Sequence, residues 1–155
     1  MTVSRNKFKK TLGSFATGVT IVTTCLNNKH HGLTVNAFSS LSMDPPLVLI
    51  CIDKKTESNS ILKQSKIFAI NILNKKQKNL SKIFSDPNNK NRFYGVKTTT
   101  KITGSPIIVN SLGYIDCTVV KIIPAGDHNI FVGKIKILNS KNLDPLIYHR
   151  GNYLV

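Results

Sequence analysis

No tryptophan occurs in the 155 residues, only 7 are acidic, and the 22 basic residues include just three arginines, Arg5, Arg92 and Arg150. So few carboxylates make a paired-carboxylate hydrolase hard to build. Scarce arginine weakens the case for reading bases or gripping phosphates bidentately, even at a net charge of +15. The lysines are scattered through Lys-Asn runs such as NKKQKN and NNKN, which argues against sequence-directed binding of nucleic acid. A basic surface still suits an anionic substrate.

Three cysteines, Cys25, Cys51 and Cys117, lie far apart in apolar runs with no CxxC, and the four histidines show no HxxxH spacing. Neither a disulfide framework nor a metal site is expected, and the thiols read as buried and unreactive. No apolar run approaches the roughly 20 residues of a membrane-spanning helix. The opening MTVSRNKFKK has no apolar core behind its charges, so a cytoplasmic protein is expected. GxGxxG and GxSxG are missing, and in GSFATGVT the P-loop spacing carries Val19 where the lysine must stand.

What is present is mostly β. Phe8, Leu12 and Phe15 recur at helical spacing, predicting a short helix with Ser4 as N-cap. Val19 to Leu26 is β-branched almost throughout, NNKHHG reads as a loop, and GLTVNAF returns as an antiparallel partner. Pro45 and Pro46 mark a turn before the apolar strand Leu47 to Asp53. A helix from Thr56, a strand over Ile67 to Leu73 and a helix in KKQKNLSKIFS follow. Residues 86–105 are polar and Gly- and Thr-rich, expected as an excursion over the surface. Tyr114 to Ile123, Asn129 to Leu138 and a short strand in PLIYHRGNYLV close the chain. Six or so hairpin-linked strands with short inserted helices, in one domain over 1–155, describe an antiparallel barrel.

The chain lacks an evident acid, base and nucleophile, but polar side chains sit within or beside its strands: Thr34, Asn36, Ser39, Ser40, Asp53, Ser58, Asn59 and Ser60. Amides and hydroxyls of this kind suit a polar heteroaromatic ring and a sugar phosphate, with a cofactor supplying the reactivity. The same segments, SSLS and TESNS, also suit a loop and a helix cap.

Taken in order, FATGVTIVTT, HGLTVNAFSSLSMDPPLVLICID, FAINIL, RF, TGSPII, GYIDCTVV, GDHNIFVGKI and PLIYHRGNY resemble the flavin reductase family. The likeness runs from about Phe15 to Tyr153. It implies a mainly β, antiparallel Greek-key split barrel of the FMN-binding kind, forming a homodimer with flavin near the interface. The implied activity is hydride transfer from NADH or NADPH to FMN or FAD, with reduced flavin passed to a partner monooxygenase.

By the same resemblance Thr34, Val35, Asn36 and Ala37 line the isoalloxazine edge, and Ser39 and Ser40 turn toward the ribityl chain and phosphate. Cys51, Ile52 and Asp53 flank the cofactor, Ser58, Asn59 and Ser60 present a helix start to its phosphate, and Arg92 contacts phosphate or adenylate. His128 of the GDH turn is placed beside the nicotinamide as the one catalytic candidate, and Arg150 and Tyr153 help hold flavin or pyridine nucleotide. Two alternatives carry different functions: a non-catalytic flavin- or heme-binding split barrel, and a basic nucleic-acid-binding barrel.

Overall fold

The computed structural model describes residues 3–154. Helix α1 (Arg5–Leu12) begins where Ser4 accepts a hydrogen bond from the Lys7 N–H at 3.2 Å, so the expected N-cap is present. Strands β1 (Thr17–Gly18), β2 (Thr20–Leu26), β3 (Lys29–Val35), β4 (Phe38–Ser42) and β5 (Leu47–Asp53) precede helix α2 (Glu57–Ser65). Strand β6 (Ile67–Ile72), a 3-10 turn (Lys75–Gln77) and helix α3 (Lys78–Ser85) come next. Strands β7 (Thr98–Thr99), β8 (Ile107–Ile108), β9 (Gly113–Ala125), β10 (His128–Ser140), β11 (Ile147–His149) and β12 (Asn152–Leu154) complete the chain.

Seven strands form one antiparallel sheet in the order β3-β2-β6-β9-β10-β5-β4. Strands β3 and β4 follow each other in the chain yet occupy opposite edges, with only Asn36 and Ala37 between them. Two residues can join the two edges only if the sheet curls until they meet. The result is a barrel split between β3 and β4, in agreement with the expected fold class.

Two expectations for this region need correction. NNKHHG is not a loop: Leu26 pairs with Lys29, leaving Asn27 and Asn28 as a two-residue turn with φ of 51° and 59°. That is the primed turn that tight hairpins favour, and asparagine tolerates it. GLTVNAF is not one strand either, since β3 ends at Val35 and the chain changes sheet edge at Asn36–Ala37. Ser39 and Ser40 therefore lie within β4, opposite Leu49 and Val48.

Alternation along the strands divides the interior in two. The barrel inside is filled by residues such as Val22, Ile50, Phe68, Ile70, Cys117 and Phe131. At Gly133 a Cβ would run into the Phe68 ring, so only glycine lets that ring fill the barrel. Ile21 on the outer face of β2 and Leu73 just after β6 join a second cluster with Phe84 of α3, Ile108 and Leu146.

Most of 86–105 is exposed, as expected of an excursion over the surface, but Phe93 and Val96 pack on that second cluster and tie the segment down. Thr103 donates its N–H to Asp116 Oδ2 at 2.9 Å and its hydroxyl to Asp116 Oδ1, and Asp116 and Ser105 are fully buried. Asn71 donates to Ile21 O at 3.0 Å and accepts from Ile108 N–H at 2.7 Å. Buried polar groups of this kind persist only when paired, and here each secures a crossing segment to the sheet. Among the described residues no helix is long and apolar enough to cross a membrane.

Candidate functional site

The chain meets itself at one end of the barrel. Where β3 gives way to β4, the Cys51 N–H donates to Ala37 O at 3.0 Å, and the register of β5 against β10 sets His128 opposite Asp53 and Asn129 opposite Ile52. Asn36 and Ala37 are exposed and Cys51, Asp53 and His128 are half-buried, so these five share an accessible rim. Val35 and Ile52 are core side chains at 7% and 1% exposure; they were expected to line the cofactor, but only their backbones can face it.

Helix α2 starts on the same rim. Thr56 stands at its N-cap yet gives its hydroxyl to Asp53 O at 2.8 Å, leaving the helix start without a side-chain cap. The Asp53 carboxylate closes the turn by accepting from the Lys55 N–H at 2.8 Å. Ser58 is half-buried here and Ser60 exposed, whereas Asn59 is 2% exposed with its amide committed internally. The Asn59 side chain therefore turns inward, and its backbone N–H donates to Thr56 O at 3.1 Å.

A second wall stands on the outside of β3. The Thr34 hydroxyl donates to Ser81 O at 2.6 Å, and Ser81 Oγ lies 2.7 Å from the Tyr153 hydroxyl. Arg92 donates through Nη1 to Gly32 O at 2.9 Å and through Nη2 and Nε to Asp86 O at 2.8 and 3.2 Å. Its guanidinium ties the segment after α3 to β3 and keeps two N–H groups unused in these bonds. Phe93 packs edge-on against both Phe84 (5.0 Å) and His30 (5.5 Å).

Between this wall and the start of α2 lies a cavity of about 1220 Å³. Thr34, Ser58 and Arg92 line it, as do His31, Glu57 and Tyr94. Lys29, Lys55, Lys90 and Arg92 outnumber Glu57 around it, so the space is electropositive. Burial lowers the His31 imidazole below its usual range, with Glu57 opposing the shift.

Ser39 and Ser40 sit apart from the cavity on exposed β4, Ser39 donating to Ser40 O at 2.9 Å. Arg150 occupies the left-handed turn between β11 and β12 (φ 49°), where its N–H donates to Gly13 O at 2.8 Å beside α1. It joins neither the rim nor the cavity lining. His30, His31, Phe93 and Tyr94 were missed because the first pair read as loop and the second lay in the apparent surface excursion.

Nothing on the rim is arranged as a nucleophile. Burial pushes the Cys51 thiol up, and burial with the neighbouring Asp116 carboxylate pushes Cys117 up to about 12. The His128 Nδ1 lies 2.7 Å from Asp127 Oδ1, and that hydrogen bond holds the Asp127 carboxyl below its usual range. What remains is an electropositive, partly aromatic cavity lined by hydroxyls and by the start of α2, while Asn36, Ala37, Cys51, Asp53 and His128 of the rim lie outside its lining. That donor set fits a planar heteroaromatic carrying phosphate.

The model of the flavin reductase-like domain matches residues 12–154. The chain belongs to this family. It is 37% identical over 149 residues to the reductase subunit HsaB of a flavin-dependent monooxygenase from Mycobacterium tuberculosis, covering 94% of this chain and 79% of that one. Among solved structures, the flavin reductase PheA2 superposes with a TM-score of 0.90 at 38% identity, covering 98% of this chain and 97% of PheA2. The NADH:FAD oxidoreductase SgcE6 of Streptomyces globisporus, solved with NAD and FAD fragments, gives a TM-score of 0.93 at 28% identity, covering 98% and 92%. The resemblance read from the ordered motifs holds at the level of family and fold.

Proposed function

We propose that the protein is an NAD(P)H:flavin oxidoreductase of the cytoplasm that takes hydride from reduced nicotinamide onto FMN or FAD and hands the reduced flavin to a monooxygenase component. The observation that carries this is the pairing of a large electropositive cavity with a rim of hydrogen-bond donors that holds no activated nucleophile. A flavin, when bound, supplies the hydride-accepting chemistry that the side chains lack.

The chain's own residues bind and orient. The exposed Asn36 amide, at the joint where Ala37 O holds the Cys51 N–H, would meet the polar edge of the ring. The uncapped start of α2 at Ser58 and the two remaining N–H groups of Arg92 are placed to meet phosphate. His128, braced by Asp127, borders the rim where a nicotinamide would approach; its task is to position, because direct hydride transfer needs two rings held face to face.

A second copy of the chain is the proposed partner for apolar side chains left exposed on the sheet, Leu41 in β4, Met43 after it, and Val120 and Ile123 on β9. The decisive assay follows oxidation of NADH and of NADPH with FMN, FAD or no flavin. Flavin-dependent oxidation with at least one donor is expected; absence of turnover with every pair refutes the reading.

A further inference from the structure

Behind the rim, two asparagines form a relay that links three site-bearing elements. Asn129 Nδ2 donates to Asn59 Oδ1 at 2.9 Å, and Asn59 Nδ2 donates to Ile52 O at 3.1 Å. Both side chains are 2% exposed. An amide buried in a strand destabilises the fold unless it is hydrogen-bonded, and an apolar residue opposite Ile52 would pack there without that cost. The relay therefore does something that packing alone does not.

Its polarity is fixed at both ends. Because Ile52 O can only accept, Asn59 must turn its amino group to β5, which leaves its carbonyl facing β10; only a donor at 129 satisfies it. The bond ties the first turn of α2 to the strand that begins with His128. Since side chains alternate along β10, His128 faces the rim while Asn129 faces inward beneath it. The link from β5 to α2 is otherwise short and polar, resting on the Asp53 turn bonds and on Lys54 N–H to Asp127 O at 2.9 Å.

We infer that Asn129 is a positioning residue: acting through Asn59, it fixes the start of α2 against β5 so that the Ser58 turn is held ready for the phosphate of a flavin. This rests on the flavin reading above. The consequence is selective, because a displaced helix start weakens the grip on phosphate while leaving the ring edge, met by the exposed Asn36 amide, in place. A purely stabilising role would lower the folded fraction equally for every ligand.

The test compares dissociation constants of FMN and riboflavin, measured by flavin fluorescence, for wild-type protein, Asn129→Leu and Asn129→Ala, with thermal melts alongside. Wild-type protein is expected to prefer FMN. Asn129→Leu is expected to weaken FMN by about tenfold and riboflavin by less than about twofold, a tenfold change being 1.4 kcal/mol. Asn129→Ala, smaller and without a donor, gives the same comparison if the Leu variant does not fold. Equal weakening of both ligands, or an unchanged preference for FMN, overturns the inference while the flavin reading stands. Wild-type protein that binds neither flavin overturns both.

Discussion

Arg92 separates a structural role from a binding role, because its guanidinium already makes three hydrogen bonds to two carbonyls. A bond from a charged donor contributes about 1.5–3 kcal/mol net when well shielded. Arg92 is half-buried and water competes for it, so about 1 kcal/mol per bond, about 3 in total, is the reasonable scale. Arg92→Ala should therefore release the segment after α3 by roughly 100-fold in its local opening equilibrium, at 1.4 kcal/mol per decade. Lysine can reach at most one of the two carbonyls, so Arg92→Lys should release it nearly as far. Native-state hydrogen exchange reads this at the amides of Tyr94 and Val96, bonded to Asn91 O at 2.9 Å and Phe93 O at 3.0 Å. Because Phe93 packs on Phe84, a general drop in melting temperature of a few degrees should accompany the release. Unchanged exchange at these amides with weakened flavin binding would refute the clamp and leave Arg92 as a ligand contact alone.

Asn36→Val should weaken FMN and riboflavin alike, by about tenfold for one lost polar contact, while the melting temperature hardly moves, since Asn36 is exposed; normal flavin titration of the variant would remove Asn36 from the ring edge. Gly133→Ala forces a methyl into the Phe68 ring and should cost about 1–3 kcal/mol, read as roughly 2–4 °C of melting temperature per kcal/mol; an unshifted melt would mean that the barrel interior is loose. Cys117 predicts an alkaline effect. Its thiol is pushed from an ordinary 9 to about 12 in the folded chain, so above pH 9 the unfolded chain loses that proton first and stability falls as pH rises toward 12. Cys117→Val should flatten this part of the stability curve, and a parallel decline in both proteins would contradict it.

Much of the fold was legible because its signals are local. Strand β2 carries β-branched residues, α3 has Leu80, Ile83 and Phe84 at helical spacing, and Pro45–Pro46 can only interrupt. The misreadings share a cause, which is that partner strands are chosen over long sequence separations. Nothing within GLTVNAF announces that Val35 pairs with Thr20 whereas Phe38 pairs with Ile50. The segment 86–105 looks polar, yet its Thr103, with Ser105 hydrogen-bonded beside it, satisfies a carboxylate that sits in β9. Only assembly shows that such residues are interior.

The site was only partly legible for the same physical cause. Polar residues on or beside strands fall into two groups that sequence cannot tell apart: those whose side chains stay open to solvent, such as Asn36 and Ser58, and those that turn them inward to hold the frame, such as Thr34, Asn59, Asn71 and Asn129. In both groups the residue types are identical and the neighbours are apolar. What separates them is the parity of the strand and the presence of an internal partner within about 3 Å. Asn36 and Asn59 illustrate the point: Asn36 was expected at the ring edge and Asn59 at a helix start facing phosphate, and Asn36 stands on an exposed joint, whereas Asn59 spends both ends of its side-chain amide on Ile52 and Asn129. A reaction that depends on holding two rings together needs both groups, since a rim of donors is useful only while the frame beneath it keeps the rim in register.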